Sequence, residues 1–137
     1  MSKQQTFAMI KPDAVYAGNV GRILSVMESE KFIFKFLTVF QFDEFQATEF
    51  YKEHEDKSFF KGLIEFTCSG PAVLVILEGD NVVNRWRELM GATDPTKAAV
   101  NSLRNLYGHG MPDNAVHGSD SEESADREVE FVLEMVM

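Results

Sequence analysis

His117 ends a short apolar segment, Asn114-Ala-Val-His117, and is followed by Gly118-Ser119-Asp120 and an acidic run that opens a helix. A neutral imidazole becomes a competent nucleophile when a hydrogen bond to one ring nitrogen fixes the tautomer and leaves the other nitrogen free. Gly118 permits a close turn, and the free N–H groups of the helix start favour anions nearby. Glu128, further along that helix, can approach the ring from behind. The cationic candidates are Lys11, Arg85, Arg87 and Arg104, each at a predicted strand end, in a helix or beside a turn. Lys11 is the best placed, because it directly follows the first predicted strand, and an arginine fork can hold two phosphate oxygens. These residue types suit a nucleophilic histidine acting on a small anion.

The elements that must position them follow from periodicity. Thr6 to Ile10 is an apolar run stopped by Lys11-Pro12-Asp13, a strand and turn. After Gly18 and Gly21, the spacing of Val20, Ile23, Leu24 and Met27 predicts a helix. Phe32 to Phe42 predicts a long strand with Phe32, Phe34, Phe36, Phe40 and Phe42 on one face. Asp43 to His54 and Ser58 to Phe66 predict helices, and Ala72 to Leu77 is a strand apolar enough to be central in its sheet. Asn81 to Met90 predicts a further helix, Gly91 to Ala99 and Gly108 to Asp113 loops. The last helix is expected from near Asp120, with Ser119 and Glu122 at capping-box spacing. Strands mixed with helices on this scale predict a two-layer α+β sandwich, with helices on a mainly antiparallel sheet. No repeat or linker divides the chain, so residues 1–137 are read as one domain.

The net charge of −9, from 22 acidic and 13 basic residues, disfavours a surface that wraps nucleic acid, and no specific nucleic acid partner is expected. A few focused cations still leave room for a small anionic ligand. Cys68 is the only cysteine, which excludes an intrachain disulfide and reads as a packed small side chain. The N-terminus lacks the organisation of a secretion signal and no apolar run reaches membrane-spanning length, so a soluble intracellular protein is expected. No glycine-rich phosphate loop is present. His54, His109 and His117 are scattered, and Asp120 to Glu123 lacks the pattern of a calcium loop. His54 reads as a surface or capping residue, and Trp86 as packing or an oligomer contact.

Thr6-Phe-Ala-Met-Ile-Lys-Pro-Asp13, Phe50-Tyr51 with His54 and Phe59-Phe60, Ser69-Gly70-Pro71, Leu77-Glu78-Gly79, Gly91-Ala-Thr93-Asp-Pro95 and Asn114-Ala-Val-His117-Gly118-Ser119-Asp120 occur in an order and at separations that together are very specific. Over essentially its whole length the chain resembles the nucleoside diphosphate kinase family. The resemblance implies a ferredoxin-like α+β sandwich with a four-stranded antiparallel sheet. It implies a cytoplasmic ping-pong enzyme that takes the γ-phosphate of a nucleoside triphosphate onto His117 and passes it to a nucleoside or deoxynucleoside diphosphate. Glu128 would orient and polarise the ring with help from Ser119. Lys11, Tyr51, Arg87, Thr93, Arg104 and Asn114 match phosphate and sugar contacts, Phe59 the residue that stacks on the base and Leu63 its apolar neighbour. Mg2+, held mainly by substrate phosphates, is the implied cofactor, and a homo-oligomer, tetramer or hexamer built from dimers, the implied assembly. The rival is a catalytically inactive, nucleotide-binding regulatory protein, which would need a broken set, whereas His117, Lys11, Arg87, Arg104 and Glu128 are all present. Asn101-Ser102 stands where the family commonly has Gly-Thr, Lys31 where it commonly has glycine, and Phe36 where it has a small residue. The last two predict altered packing of the second strand.

Overall fold

The computed structural model describes residues 3–137; Met1 and Ser2, on which part of the N-terminal reading rests, lie outside the described residues. Four strands carry the architecture: β1 (Gln4–Ile10), β2 (Ile33–Phe40), β3 (Ala72–Gly79) and β4 (Val116–Gly118). They form one sheet in the order β2-β3-β1-β4 with every pairing antiparallel. The helices are α1 (Pro12–Tyr16), α2 (Val20–Ser29), α3 (Glu44–Phe50), α4 (Phe60–Thr67), α5 (Val82–Met90), α6 (Leu103–Tyr107) and α7 (Glu122–Val136), with a 3-10 turn at Lys52–His54.

Residues 7–10 of β1 and 72–77 of β3 are apolar and buried because both faces of the sheet are covered there, in keeping with the apolar runs in the sequence. Successive side chains alternate between two cores. Ala8, Ile10, Val73, Val75 and Leu77 meet Ile23 and Met27 of α2 and Val82 and Trp86 of α5. Phe7, Met9, Ala72 and Leu74 meet Phe50 of α3, Leu63 and Ile64 of α4 and Val132 of α7 on the opposite face. The expected α+β sandwich is therefore present, with its antiparallel sheet flanked by helices.

In β2 the expected single face of phenylalanines is split. Register shifts between Phe34, opposite Leu77, and Phe36, opposite Ile76, so Lys35 is an extra residue. Such a bulge moves the following side chains to the other face. Phe32 and Phe34 accordingly pack into the first core, Phe40 and Phe42 into the second. Lys31 sits in the turn before β2 with φ of 64°. A lysine in this left-handed conformation strains the turn.

The start of α7 also differs from expectation. Ser121, and not Ser119, is the N-cap, its hydroxyl accepting from the Ser124 N–H at 3.0 Å. Ser119 is fully buried and its hydroxyl is directed to Glu128. Among the described residues no helix is long and apolar enough to cross a membrane.

Candidate active site

β4 is a three-residue edge strand, and its register against β1 places His117 opposite Met9, at the mouth of the sheet where Lys11 emerges. Phe50 packs edge-on to the imidazole at a centroid distance of 5.5 Å, Tyr51 stands perpendicular to it at 6.3 Å and Phe7 lies at 5.7 Å. The ring is thereby fixed on the second core, with only 18% of its side chain exposed. Its Nε2 lies 2.9 Å from Oε1 of Glu128, and Ser119 Oγ donates to the same oxygen at 2.9 Å. The buried carboxylate can only accept, so Nε2 carries the proton and Nδ1 presents its lone pair.

Gly118 is needed for a reason other than the expected turn. A Cβ there would meet Trp86 Cδ1 at 2.5 Å and Met90 Cε at 2.7 Å. Trp86 is completely buried, and its Nε1 donates to the His117 carbonyl at 3.2 Å, so the indole is the shelf on which β4 rests. It is a packing residue within the subunit.

The cations converge from separate elements. Lys11 Nζ donates to Asn114 Oδ1 at 2.7 Å and to the Pro112 carbonyl at 3.3 Å. Asn114 Nδ2 reaches back to the Thr93 carbonyl at 2.9 Å, tying the loop after α5 to the segment that leads into β4. Burial, reinforced by the charge of Arg104, lowers the Lys11 pKa to about 8. Arg104, in α6, donates to the carbonyls of Gly91 at 3.1 Å and Val116 at 2.9 Å. Burial and then neighbouring Arg87 lower its pKa to about 10, leaving it charged at neutral pH. Its buried Nε has no hydrogen-bond partner among the described residues. Two guanidinium groups and a desolvated ammonium in one neighbourhood can attract a polyanion.

Tyr51, at the C-cap of α3, is buried, and desolvation followed by the charge of Glu128 pushes its pKa well up, so the phenol keeps its proton as a donor. Asp120 borders the cleft beside His117 and Glu128. A hydrogen bond from Ser124 keeps its carboxyl below the usual range. Phe59 is 55% exposed before α4, with its ring 6.0 Å from that of His54. Leu63, one turn on, is buried in the second core.

The sequence-predicted residues are thus largely brought together, and three others join them. His54, whose side chain is 37% exposed in keeping with the surface position expected for it, also lines the cleft next to His117, with its ring 6.5 Å from Tyr51. Asp13 accepts from the Ala115 N–H, and Ala115 itself holds a φ of 76°. Arg85, by contrast, leaves the candidate set. It donates to the Glu30 carbonyl at 2.8 Å and stacks on Phe32 at 4.7 Å, which makes it a tie between α2 and α5.

The family model for nucleoside diphosphate kinase matches residues 4–136. The chain belongs to the nucleoside diphosphate kinase family. It is 46% identical over 128 residues to the nucleoside diphosphate kinase of Actinobacillus pleuropneumoniae serotype 3, covering 93% of each chain. It is 47% identical over the same length and coverage to that of Campylobacter lari. Its fold superposes on a crystal structure of the Aquifex aeolicus nucleoside diphosphate kinase with a TM-score of 0.93 at 41% identity, covering 96% of this chain and 95% of that one. The Halobacterium salinarum nucleoside diphosphate kinase, solved in complex with CDP, gives 0.92 at 39%, covering 95% and 87%. Membership of this family makes the chain a phosphotransferase acting through a histidine. Asn101, where the family commonly has glycine, has a φ of 72°. Asparagine is one of the few residues that visit this region readily. Ser102 packs onto Gly91 and donates to the Ala99 carbonyl at 2.7 Å, so the Asn101-Ser102 pair still supports α6 and its arginine.

Proposed function

We propose that residues 1–137 act as one unit that moves the terminal phosphate of a nucleoside triphosphate to a nucleoside or deoxynucleoside diphosphate, with Nδ1 of His117 as the carrier. The observation that carries this reading is the 2.9 Å contact from His117 Nε2 to Glu128, which leaves Nδ1 available. In the first half-reaction the Nδ1 lone pair forms a bond to the γ-phosphorus as the bond to the β,γ-bridging oxygen breaks, and the nucleoside diphosphate leaves with that electron pair. The ring, still protonated at Nε2, gains positive charge, which the Glu128 carboxylate offsets. In the second half-reaction a β-phosphate oxygen of the acceptor attacks the same phosphorus and Nδ1 recovers its lone pair. Lys11, Arg87 and Arg104 neutralise the phosphate oxygens, and Tyr51, Thr93 and Asn114 offer hydrogen bonds to phosphate and sugar. Positioning and electrostatics supply most of the catalysis in such transfers.

Phe59 offers an exposed ring on which a base can stack without its edges being read, so broad base tolerance is expected, and the CDP complex of the Halobacterium relative is in keeping with nucleotide occupancy of such a cleft. Magnesium fits this site as a ligand of the substrate. Among the described residues no group of three His, Cys, Asp or Glu side chains gathers to hold an ion. Glu128 is committed to His117 and Glu53 to Arg127, leaving Asp120 as the carboxylate that would meet the ion's water shell. When bound on the phosphates the ion supplies charge neutralisation there.

We also propose association of copies through the edge strand β2, supported by the exposure of Ile33, Leu37 and Val39 along it, and a cytoplasmic setting. The test of function is a coupled assay with ATP and a panel of nucleoside and deoxynucleoside diphosphates, with and without magnesium. Several triphosphates formed in a metal-dependent manner are expected, whereas binding without exchange would favour a regulatory protein.

A further inference from the structure

Ala115 is an L residue, fully buried, with φ of 76°. The Val116 N–H donates to the Asn114 carbonyl at 3.0 Å, which closes a γ-turn of the rare φ-positive kind around it. Nothing in alanine favours this conformation, so the surroundings must impose it. Two hydrogen bonds from one short segment do so. The Lys11 N–H donates to the Ala115 carbonyl at 2.8 Å, and the Ala115 N–H donates to Asp13 Oδ2 at 3.0 Å. The other Asp13 oxygen is buried without a hydrogen-bond partner among the described residues. The turn matters because of what flanks it: Asn114, which receives Lys11 Nζ, on one side, and His117 two residues on from the other.

We propose that Asp13 is a positioning residue for phosphoryl transfer, its carboxylate holding the γ-turn at Ala115 so that Asn114 meets Lys11 and β4 presents His117 to the cleft. Asp13 itself touches no reacting atom in this scheme. Burial raises its pKa, so its placement is unfavourable for the charged carboxylate taken alone.

The proposal rests on the phosphohistidine reading above and is tested by the single-turnover rate of protein labelling from γ-labelled ATP with magnesium. Asp13→Ala is expected to slow labelling about 10- to 100-fold, the scale of an ångström misplacement of reacting groups. Asp13→Asn keeps an oxygen at the same reach and should stay within about threefold of wild type, a change on the scale of one weakened hydrogen bond. Asp13→Glu keeps the charge and displaces the oxygens, and should resemble the alanine variant. Glycine adopts positive φ unaided, so in an Ala115→Gly background Asp13→Ala should cost less than about threefold. A wild-type rate for Asp13→Ala, an undiminished loss in the glycine background, or a glutamate variant faster than the asparagine one would each overturn the proposal. Should Asp13→Ala fail to fold, the order of Asn and Glu decides. Wild-type protein that labels somewhere other than His117 would instead defeat the functional reading and leave this one without its basis.

Discussion

Gly118→Ala tests whether packing behind β4 sets the reaction geometry. The new Cβ would stand 2.5 Å from Trp86 Cδ1 and 2.7 Å from both Trp86 Nε1 and Met90 Cε, where ordinary contact starts at 3.4 Å. Trp86 is completely buried and Met90 nearly so, and the indole is tied to the His117 carbonyl, so the shelf has no space into which to withdraw. β4 is the lighter partner, held to β1 over only three residue pairs, and is the part that must shift. The deficit of contact distance is about 1 Å, and a misplacement of that size costs on the order of 100-fold in rate. Overpacking of this kind destabilises by about 1–3 kcal/mol. For a domain of this size that corresponds to a Tm lower by roughly 3 to 12 °C. Rapid-quench labelling from γ-labelled ATP reads the first effect, and thermal melts of both proteins at equal concentration read the second. Wild-type labelling together with an unchanged Tm would show that the clash is absorbed without moving the nucleophile, and that packing behind β4 does not set the reaction geometry.

Lys31→Gly should stabilise the protein by about 1 kcal/mol by urea titration, because φ of 64° is disfavoured for lysine and free for glycine. Asn101→Gly should gain only a few tenths of a kcal/mol, since asparagine tolerates the left-handed region. With its pKa lowered by burial to about 8, Lys11 should lose its charge in the free enzyme as pH rises through that value. kcat/KM for ATP should fall there more steeply than kcat, and the limb should be missing from Lys11→Ala. The same shift has the opposite sign for stability. Between about 8 and the unfolded value of 10.5 the unfolded chain binds more protons, so the Lys11 contribution to stability rises with pH across that window. Glu128→Ala strands the Ser119 hydroxyl and His117 Nε2, and should slow labelling about 10- to 100-fold, the range for hydrogen bonds to charged groups.

Much of the fold was legible because β1 and β3 carry continuous apolar runs that burial then follows. The face switch in β2 was not, since a bulge at Lys35 leaves the composition of the strand untouched and appears only when register against β3 is known. Ser119 and Ser121 are chemically alike candidates for the α7 cap. What separates them is burial, because Ser119 is drawn inward by Phe7 and Glu128. The cleft residues were readable as types and as a family pattern, but Arg85 shares its type with Arg87 and differs only in having Glu30 and Phe32 beside it. Asp13 and Ala115 are 102 residues apart, and no local signal marks an alanine that a distant carboxylate holds at positive φ. Lys31 and Asn101 could be noted as departures from glycine, yet their consequence is a dihedral angle that the sequence does not display.

In the proposed mechanism Nδ1 of His117 carries the phosphate while Glu128 occupies Nε2. Protein with 15N-labelled histidine, incubated with ATP and magnesium and observed by 31P and 15N NMR, identifies the linked nitrogen directly. One acid-labile phosphate is expected, coupled to Nδ1 of His117, absent from His117→Ala and discharged on addition of a nucleoside diphosphate. Phosphate on Nε2, or labelling that survives the loss of His117, would rule out Nδ1 of His117 as the carrier.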